Sequence, residues 1–350
     1  MTLWIILSLC GALTVTGVAL VNPASIGRLP SGARLERIEK SPHYKDGEFQ
    51  NELETVTMTS DKSFFGAMYD FLFKSYPNTV PDSVPAIKTD LKSLDPVADW
   101  LVWFGHSSYL MQLSGKKILV DPVFYKASPV SFINKAFKGT DIYKPADMPE
   151  IDYLVITHDH WDHLDYRTAK ELKGHVKHVI CGLGVGADFE YWGYSSAQIT
   201  EMDWGDSIAI DGFRFYCLPA RHFSGRWLSR NKTLWASFLA ESPAQKKFYF
   251  GGDGGYDGRF KRIGERFPDI DLAILENGQY NKDWSKIHLL PAELEQAARD
   301  LRAREYMTVH HSKYRLSTHA WDDPLKNEQK LRADSLNVIS PQIGEVVKLK

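Results

Sequence analysis

The chain has 350 residues, enough for one large domain or two small ones, and 43% of them are hydrophobic. Its formal net charge of -2 at pH 7 argues against the basic surface that nucleic-acid-binding proteins carry. The three cysteines, Cys10, Cys181 and Cys217, show no paired spacing. That pattern argues against a disulfide scaffold and against a thiolate zinc site. The composition is typical of a globular protein with a sizeable core.

The N-terminal segment, residues 1–21, is predicted to associate with a membrane. Residues 2–21 contain no charged side chain and are long enough to span a bilayer as a helix. Basic residues follow from Arg28 onward, which favours an uncleaved anchor with the bulk of the chain on the cytoplasmic side. Gly17-Val18-Ala19 could instead serve as a cleavage site, so the side of the membrane stays open.

Residues 22–97 are predicted to form an extension that packs on a main domain, residues 98–350. The extension mixes charged residues with proline and turn signals. Within it, the aromatic sequence FFGAMYDFLF at residues 64–73 indicates an amphipathic segment. Packing against the main domain is the simpler interpretation of this segment. A membrane-facing or substrate-lid role is the alternative.

The main domain is predicted to begin with strands in hairpins and to continue with strands that alternate with helices. Residues 99–124 indicate two or three strands, and Asp211-Gly212 indicates a hairpin turn. Helices are predicted at residues 166–172 and 291–306, the second with a proline in its first turn. Further apolar runs predict strands at residues 151–157, 175–183, 233–241, 246–253, 268–277 and 306–311. This order favours a mixed α/β sandwich over an all-parallel sheet.

The most informative motif is HDHWDH at residues 158–163, directly after an apolar strand. It supplies three histidines and Asp162, and two of the histidines can point inward together with the aspartate. Catalytic zinc sites use histidine nitrogen and carboxylate oxygen and leave one position open for water. The motif therefore predicts a metal site, with a geometry that suits two adjacent cations.

Three later residues stand at the ends of apolar runs and are predicted to complete this site: His222, Asp253 and His310. His311 is the rival of His310, which we favour because it directly follows the strand. Two cations a few ångströms apart lower the pKa of a bridging water and stabilise charge in a displacement. With no cysteine ligand, zinc is favoured, and iron and manganese are the alternatives.

These segments resemble the metallo-β-lactamase fold superfamily, and within it the branch that contains N-acylphosphatidylethanolamine-hydrolysing phospholipase D. The matching segments, which span about residues 98–325, are WFGHSSYLMQL, ILVDPVF, LVITHDHWDHLD, CLPARHFSGR, YFGGDGGY and TVHHSKY. The resemblance implies a four-layer αββα sandwich. It also implies that Asp253 bridges two metals, the first held by His158, His160 and His222 and the second by Asp162, His163 and His310. Asp165 could orient one of the ligand histidines.

The resemblance extends to residues near the substrate. His288 matches a family position where a histidine could bind an oxyanion or protonate a leaving group, although a structural role at a helix entry is the alternative. His106 matches a recurrent Gly-His pair and is favoured as a structural or positioning residue. Arg226 could bind a phosphate with two hydrogen bonds, or form a surface salt bridge instead. Tyr280 could line an apolar groove.

By resemblance, the chain is a metal-dependent hydrolase in which Asp162, Asp253 and His288 serve catalysis. The leading substrate is a phosphodiester lipid, N-acyl phosphatidylethanolamine, cleaved in phospholipase D fashion. The alternative is a lactonase or phosphodiesterase that acts on a small soluble phosphorylated substrate. A non-catalytic metal-binding membrane protein is the alternative from a different class.

Overall fold

A computed structural model describes residues 21–130 and 134–349 of the chain. Two seven-stranded mixed sheets face each other, and helices pack on the outer face of each. The architecture is therefore the expected four-layer αββα sandwich, in which each sheet buries both of its faces.

The strands lie in chain order at β1 (Tyr44–Lys45), β2 (Glu48–Phe49), β3 (Trp100–Trp103), β4 (Tyr109–Leu113), β5 (Lys116–Val120), β6 (Ile151–Ile156), β7 (Val176–Gly182), β8 (Ile199–Met202), β9 (Ser207–Ile210), β10 (Phe213–Leu218), β11 (Ser237–Glu241), β12 (Lys247–Phe250), β13 (Leu272–Glu276), β14 (Glu305–Val309), β15 (Val338–Ile339) and β16 (Val346–Lys348). The helices lie at α1 (Pro23–Ile26), α2 (Ala33–Ile38), α3 (Phe64–Phe73), α4 (Tyr166–Leu172), α5 (Gly186–Tyr191), α6 (Arg259–Arg266), α7 (Pro291–Leu301) and α8 (Asp323–Ala333).

The two sheets have matching topologies. The first has the order β16-β3-β4-β5-β6-β7-β8, antiparallel up to β5 and parallel from β5 to β8. The second has the order β15-β14-β13-β12-β11-β10-β9, parallel from β15 to β12 and antiparallel from there to β9. Strands β3, β5 and β6 therefore run in one direction in the first sheet, as do β10, β12, β13 and β14 in the second. Their carboxyl ends carry the predicted site residues.

The core has three apolar layers. Between the sheets, aromatic side chains such as Phe215 and Phe238 are completely buried. The outer face of the first sheet packs against α4 and α5 through Leu172 and Phe189. The outer face of the second packs against α6 and α7, where Leu294 is buried. Burial on both faces explains why most of the strands are apolar along their whole length and do not alternate.

Residues 21–97 contact the sandwich through polar side chains. The guanidinium of Arg34 pairs with Glu190 at 2.7 Å and with Glu201 at 2.8 Å. The side chain of Asn51 donates to the carbonyl oxygen of His222 at 2.8 Å and accepts from the His222 amide at 3.1 Å. This part of the chain therefore reaches the predicted metal site.

The expected membrane association is corrected by the structure. Among the residues that the structure describes, no helix is long and apolar enough to cross a membrane. The two longest, α7 and α8, have 11 residues each, and a bilayer needs about 20 apolar residues in a helix. Val21 is buried against the rest of the protein. Residues 1–20, on which the expectation depended, lie outside the described residues.

Candidate metal centre

The predicted ligands lie at the ends of strands that share one edge of the sandwich. The loop after β6 carries the HDHWDH motif, and the other ligands follow β10, β12 and β14. The structure brings together all seven side chains, namely His158, His160, Asp162, His163, His222, Asp253 and His310. Their convergence follows from strand direction, because strands that run the same way end at the same edge.

Three imidazoles form the first half of the centre. Nδ1 of His160 lies 2.9 Å from Nε2 of His158 and 3.2 Å from Nε2 of His222. Burial lowers the pKa of all three rings, that of His160 to about 4. The rings are therefore neutral at pH 7, and neutral imidazole nitrogen is the form that binds a metal.

Asp162 anchors the second half of the centre. Its Oδ2 lies 3.3 Å from Nε2 of His310 and 3.7 Å from Nε2 of His163. Nε2 of His106 lies 2.9 Å from the same oxygen. His106 is completely buried and thus holds the carboxylate from behind.

Asp253 lies between the two halves. Its Oδ2 is 3.1 Å from Nε2 of His310 and 3.2 Å from Nε2 of His163 on one side. On the other side it is 3.8 Å from Nε2 of His222 and 4.0 Å from Nε2 of His158. Burial acts to raise the pKa of Asp253, but His163 and His310 outweigh that effect and hold the pKa well below its usual range. An ionised carboxylate in this position can contact two cations.

The donor atoms fit divalent metal ions. Nε2 of His163 and Oδ1 of Asp253 are buried and have no hydrogen-bond partner among the described residues. Buried polar atoms are rarely left unsatisfied, so these two are explained by ions that they would contact. A set of nitrogen and oxygen donors without thiolate suits zinc and related metals. Metal ligation by each of the seven residues stays a prediction.

Two of the predicted ligand histidines are oriented from behind by carbonyl oxygens. Nδ1 of His222 donates to the carbonyl oxygen of Ile287 at 2.9 Å, and Nδ1 of His310 donates to that of Gly278 at 3.2 Å. Such bonds fix the tautomer and leave the Nε2 lone pair facing the centre, where it would bind a metal ion.

Asp121 performs the same task for His163 and has no role in the sequence analysis. Its Oδ2 lies 2.8 Å from Nδ1 of His163, and it accepts hydrogen bonds from the amide and hydroxyl of Thr157. The sequence does mark Asp121, because it directly follows β5 just as the predicted ligands directly follow their own strands.

Three residues around the centre adopt an uncommon backbone conformation. His106, Asp121 and His310 have φ angles of 53°, 42° and 70°. The left-handed region is sparsely populated by residues other than glycine and costs about 1 kcal/mol or more. Backbone hydrogen bonds from the His106 amide to His311 and from the His310 amide to His106 hold two of these turns.

The glycines of GGDGGY allow a close backbone approach beside the centre. A Cβ atom at Gly255 would lie 2.1 Å from the carbonyl oxygen of Lys286. Only glycine tolerates this approach. This approach places residues 286–288 beside the centre. There the carbonyl oxygen of Ile287 and the ring of His288 contact His222.

His288 lies beside the centre and is paired with Glu276. Nδ1 of His288 is 2.6 Å from Oε2 of Glu276, whose Oε1 accepts from the Gly254 amide at 2.7 Å. Burial lowers the pKa of His288, but the carboxylates of Glu276, Asp253 and Asp162 together outweigh it, so the pKa is raised overall. Glu276 ends β13 and was also missed in the sequence analysis.

Two other residues predicted to bind substrate, Arg226 and Tyr280, do not line the cavity beside the centre. Arg226 is 2% exposed, and its guanidinium donates to the carbonyl oxygens of Asp159 and Leu164 at 2.8 and 2.7 Å. Because these donors are already used, Arg226 holds the HDHWDH loop and does not line the cavity described below. Tyr280 stacks on His319 with ring centroids 4.5 Å apart and lies outside the cavity lining.

Asp165 and His311, which the sequence offered as candidates near the metals, have other partners in the structure. Asp165 caps α4, accepting from the Thr168 amide and hydroxyl, so it orients no ligand histidine. His311 contacts the hydroxyls of Ser312 and Thr308 at 2.8 and 3.1 Å. It therefore faces away from the centre, while His310 faces toward it.

The centre opens on a cavity of about 510 Å³. Metal-centre side chains and His288 form part of its wall. The remaining wall is mostly apolar and includes Met58, Ala67, Phe71, Val130, Phe223, Trp284, Ile287 and Leu316. Ala67 and Phe71 belong to α3, so the aromatic segment of the extension lines the cavity.

Comparison with known proteins agrees with this geometry. Residues 116–311 match the family model described as a beta-lactamase superfamily domain. The chain is 35% identical over 311 residues to an uncharacterized protein of Mycobacterium tuberculosis, covering 87% of this chain and 83% of that protein. It is 32% identical over 274 residues to N-acyl-phosphatidylethanolamine-hydrolyzing phospholipase D 1 of Caenorhabditis elegans, covering 70% and 74% respectively. Among solved structures, it resembles Igni18, a metallo hydrolase from Ignicoccus hospitalis, with a TM-score of 0.54, 22% identity and coverage of 72% and 99%.

We expect the Asp121→Asn variant to bind metal about 10- to 100-fold more weakly, because loss of the carboxylate behind a ligand histidine has effects of that size. The measurement is metal affinity by competition with a chelator. Asp165→Asn is the matched control: asparagine caps a helix as well as aspartate does, so its metal affinity should equal that of the unmodified protein. Equal affinities for all three proteins would contradict the orienting role of Asp121.

Proposed function

Since the chain belongs to the β-lactamase superfamily and is a metal-dependent hydrolase, we propose that it cleaves a phosphodiester lipid in phospholipase D fashion. N-acyl phosphatidylethanolamine is the leading substrate. The observation that carries this proposal is the cavity of about 510 Å³ that joins the metal centre to a mostly apolar wall. A wall of that kind suits an acyl chain, and a polar centre at its end suits a charged headgroup.

The relative from C. elegans supports the same substrate class. That relative is named N-acyl-phosphatidylethanolamine-hydrolyzing phospholipase D 1, and its 32% identity to this chain extends over 274 residues. In such a reaction, water is added across the phosphorus–oxygen bond to the ethanolamine. The products are phosphatidic acid and an N-acylethanolamine, and the leaving oxygen takes up a proton.

We further propose that the centre holds two divalent ions, most simply zinc. His158, His160 and His222 would hold one, Asp162, His163 and His310 the other, and Asp253 would contact both. Bound divalent ions lower the pKa of a water molecule and stabilise charge on the attacking and leaving oxygens. The residues of the chain orient the substrate and move protons.

His288 is the residue best suited to move a proton to the leaving oxygen. Its ring lines the cavity, and its hydrogen bond of 2.6 Å to Glu276 occupies Nδ1. Nε2 is then the nitrogen left to exchange a proton with the substrate. Glu276 is a positioning residue, because it fixes the tautomer and orientation of His288, as a buried carboxylate does in catalytic triads.

The proposal predicts that the metal-loaded protein converts N-acyl phosphatidylethanolamine into phosphatidic acid and N-acylethanolamine, read by mass spectrometry. Asp253→Ala should lower the rate about a thousandfold, because metal stabilisation of the transition state is worth several kcal/mol. The exposed Asp211→Ala variant serves as the control and should keep full activity. Chelation should abolish turnover, and added zinc should restore it. Hydrolysis of lactones or small phosphodiesters without any lipid cleavage would replace this substrate with the soluble alternative.

Phe71→Ala should raise KM about fivefold for a long-chain substrate, since about 1 kcal/mol of apolar contact is lost. A short-chain analogue, which does not reach Phe71, should be nearly unaffected. Tyr69→Ala is the matched control, because Tyr69 lies on the same helix and is 60% exposed. Steady-state kinetics with both chain lengths make the comparison. An equal KM change for the two chain lengths would argue against an acyl chain in the cavity.

Glu276→Gln should lower kcat about a hundredfold, the usual contribution of a positioned proton donor. KM and zinc content should change little, since neither depends on proton transfer. Glu293→Gln is the control: Glu293 accepts from the Leu290 amide at the start of α7, which glutamine also does. Loss of zinc in Glu276→Gln would instead move Glu276 into the metal-binding set.

A further inference from the structure

Arg230 lines the metal cavity, and its exposed guanidinium contacts the ring of Phe223. It is the only arginine or lysine that lines this cavity among the described residues. No hydrogen bond or ion pair joins its guanidinium to any residue in the described part of the chain. Its carbon Cζ lies 4.6 Å from the ring centre of Phe223. That ring in turn lies 4.4 Å from His160 and 4.8 Å from His222.

The other arginines around the centre behave differently. Each donates to at least one backbone carbonyl oxygen and thereby holds a loop in place. The bonds run from Arg221 to Tyr256 at 3.1 Å, from Arg226 to Leu164 at 2.7 Å, from Arg259 to Gly255 at 2.8 Å and from Arg315 to Phe71 at 2.9 Å. Arg230 keeps its five N–H donors available.

The charge of Arg230 is also uncompensated at close range. No carboxylate lies within 4.0 Å of its guanidinium in the described part of the chain, and Glu48 is the acidic residue whose charge acts on it. Partial burial lowers the pKa of Arg230 while Glu48 raises it. An arginine stays protonated at neutral pH under such influences. The mouth of the cavity therefore carries a permanent positive charge.

The local chain explains why Arg226 and Arg230 differ. Gly225 has a φ of 138°, and a Cβ atom there would lie 2.2 Å from the carbonyl oxygen of Ser229. The tight turn that this glycine permits is closed by a bond from the Asn231 amide to the Ser224 carbonyl. It buries the first arginine and leaves the second exposed beside Phe223.

We propose that Arg230 binds an anionic oxygen of the substrate and so selects a phosphodiester monoanion over neutral esters and lactones. This inference rests on the proposed function and deepens it, because it names the charge state of the substrate class. The planar guanidinium matches two phosphate oxygens at once. The flanking apolar wall takes the uncharged part of the same molecule.

The test compares the binding of two probes to the zinc-loaded protein by calorimetry. Dibutyl phosphate is a phosphodiester monoanion, and tributyl phosphate is its neutral counterpart with the same alkyl chains. Arg230→Ala should weaken the binding of dibutyl phosphate about tenfold, the lower end for a charge-assisted hydrogen bond. Arg230→Lys should restore part of the loss, and the binding of tributyl phosphate should not change.

Arg214→Ala is the matched control. Arg214 is an exposed arginine on β10 whose side chain has no hydrogen bond to the described residues, and it does not line the cavity. It should bind both probes as the unmodified protein does. The zinc content of each variant, measured in the same samples, confirms that the centre is intact.

Three results would overturn the assignment of Arg230. They are failure of the unmodified protein to bind dibutyl phosphate, unchanged binding in Arg230→Ala, and an equal loss for the charged and neutral probes. Binding requires no turnover, so the result stands apart from the lipid assay. A protein that binds dibutyl phosphate through Arg230 but cleaves no N-acyl phosphatidylethanolamine would disprove the lipid substrate and keep the anion site.

Discussion

The ionised carboxylate of Asp253, buried between two groups of imidazoles, is the interaction on which the rest of the structure depends. A charge in a protein interior is costly unless other groups compensate it. Here five histidine nitrogens, Nδ1 of His288 among them, lie 3.1–4.0 Å from one oxygen. That arrangement requires strands from both sheets to end at one edge. Asp121 and the carbonyl oxygens of Ile287 and Gly278 orient three of these imidazoles. Glu276 pairs with His288, which lies next to them.

The centre also depends on a part of the chain outside the matched family domain. The family model covers residues 116–311, whereas Asn51 lies in the extension. Its side chain bonds both the amide and the carbonyl of His222, and its Oδ1 also accepts from Trp235 at 3.1 Å. One uncharged side chain thus fixes the backbone of a predicted ligand. The helix α3 of the same extension supplies part of the cavity wall.

Local sequence patterns predicted the sandwich class, helix α4 and the seven side chains that converge at the centre, because polar residues directly after apolar strands are conspicuous. Metal ligation by these side chains stays a prediction. Pairing between distant segments was not predictable in this way. Strand β16 near the C-terminus pairs with β3, and its three residues carry no periodicity. Helix α8 is largely polar and was missed. The positions of Arg226 and Arg230 depend on one turn at Gly225, which decides which arginine is buried. The apolar N-terminal run suggested an anchor that no described helix provides.

The left-handed backbone at His106, Asp121 and His310 has a consequence for protein engineering. Glycine adopts this conformation at no steric cost and would relieve the backbone strain. All three side chains are buried and hydrogen-bonded, however, so their loss would leave buried partners unsatisfied. Each such replacement would remove a side chain that forms or supports the centre. Relief of the backbone strain at these turns therefore cannot be separated from loss of the centre, and stabilising substitutions have to be sought elsewhere in the fold. Natural proteins show the same conflict between stability and activity at strained functional residues.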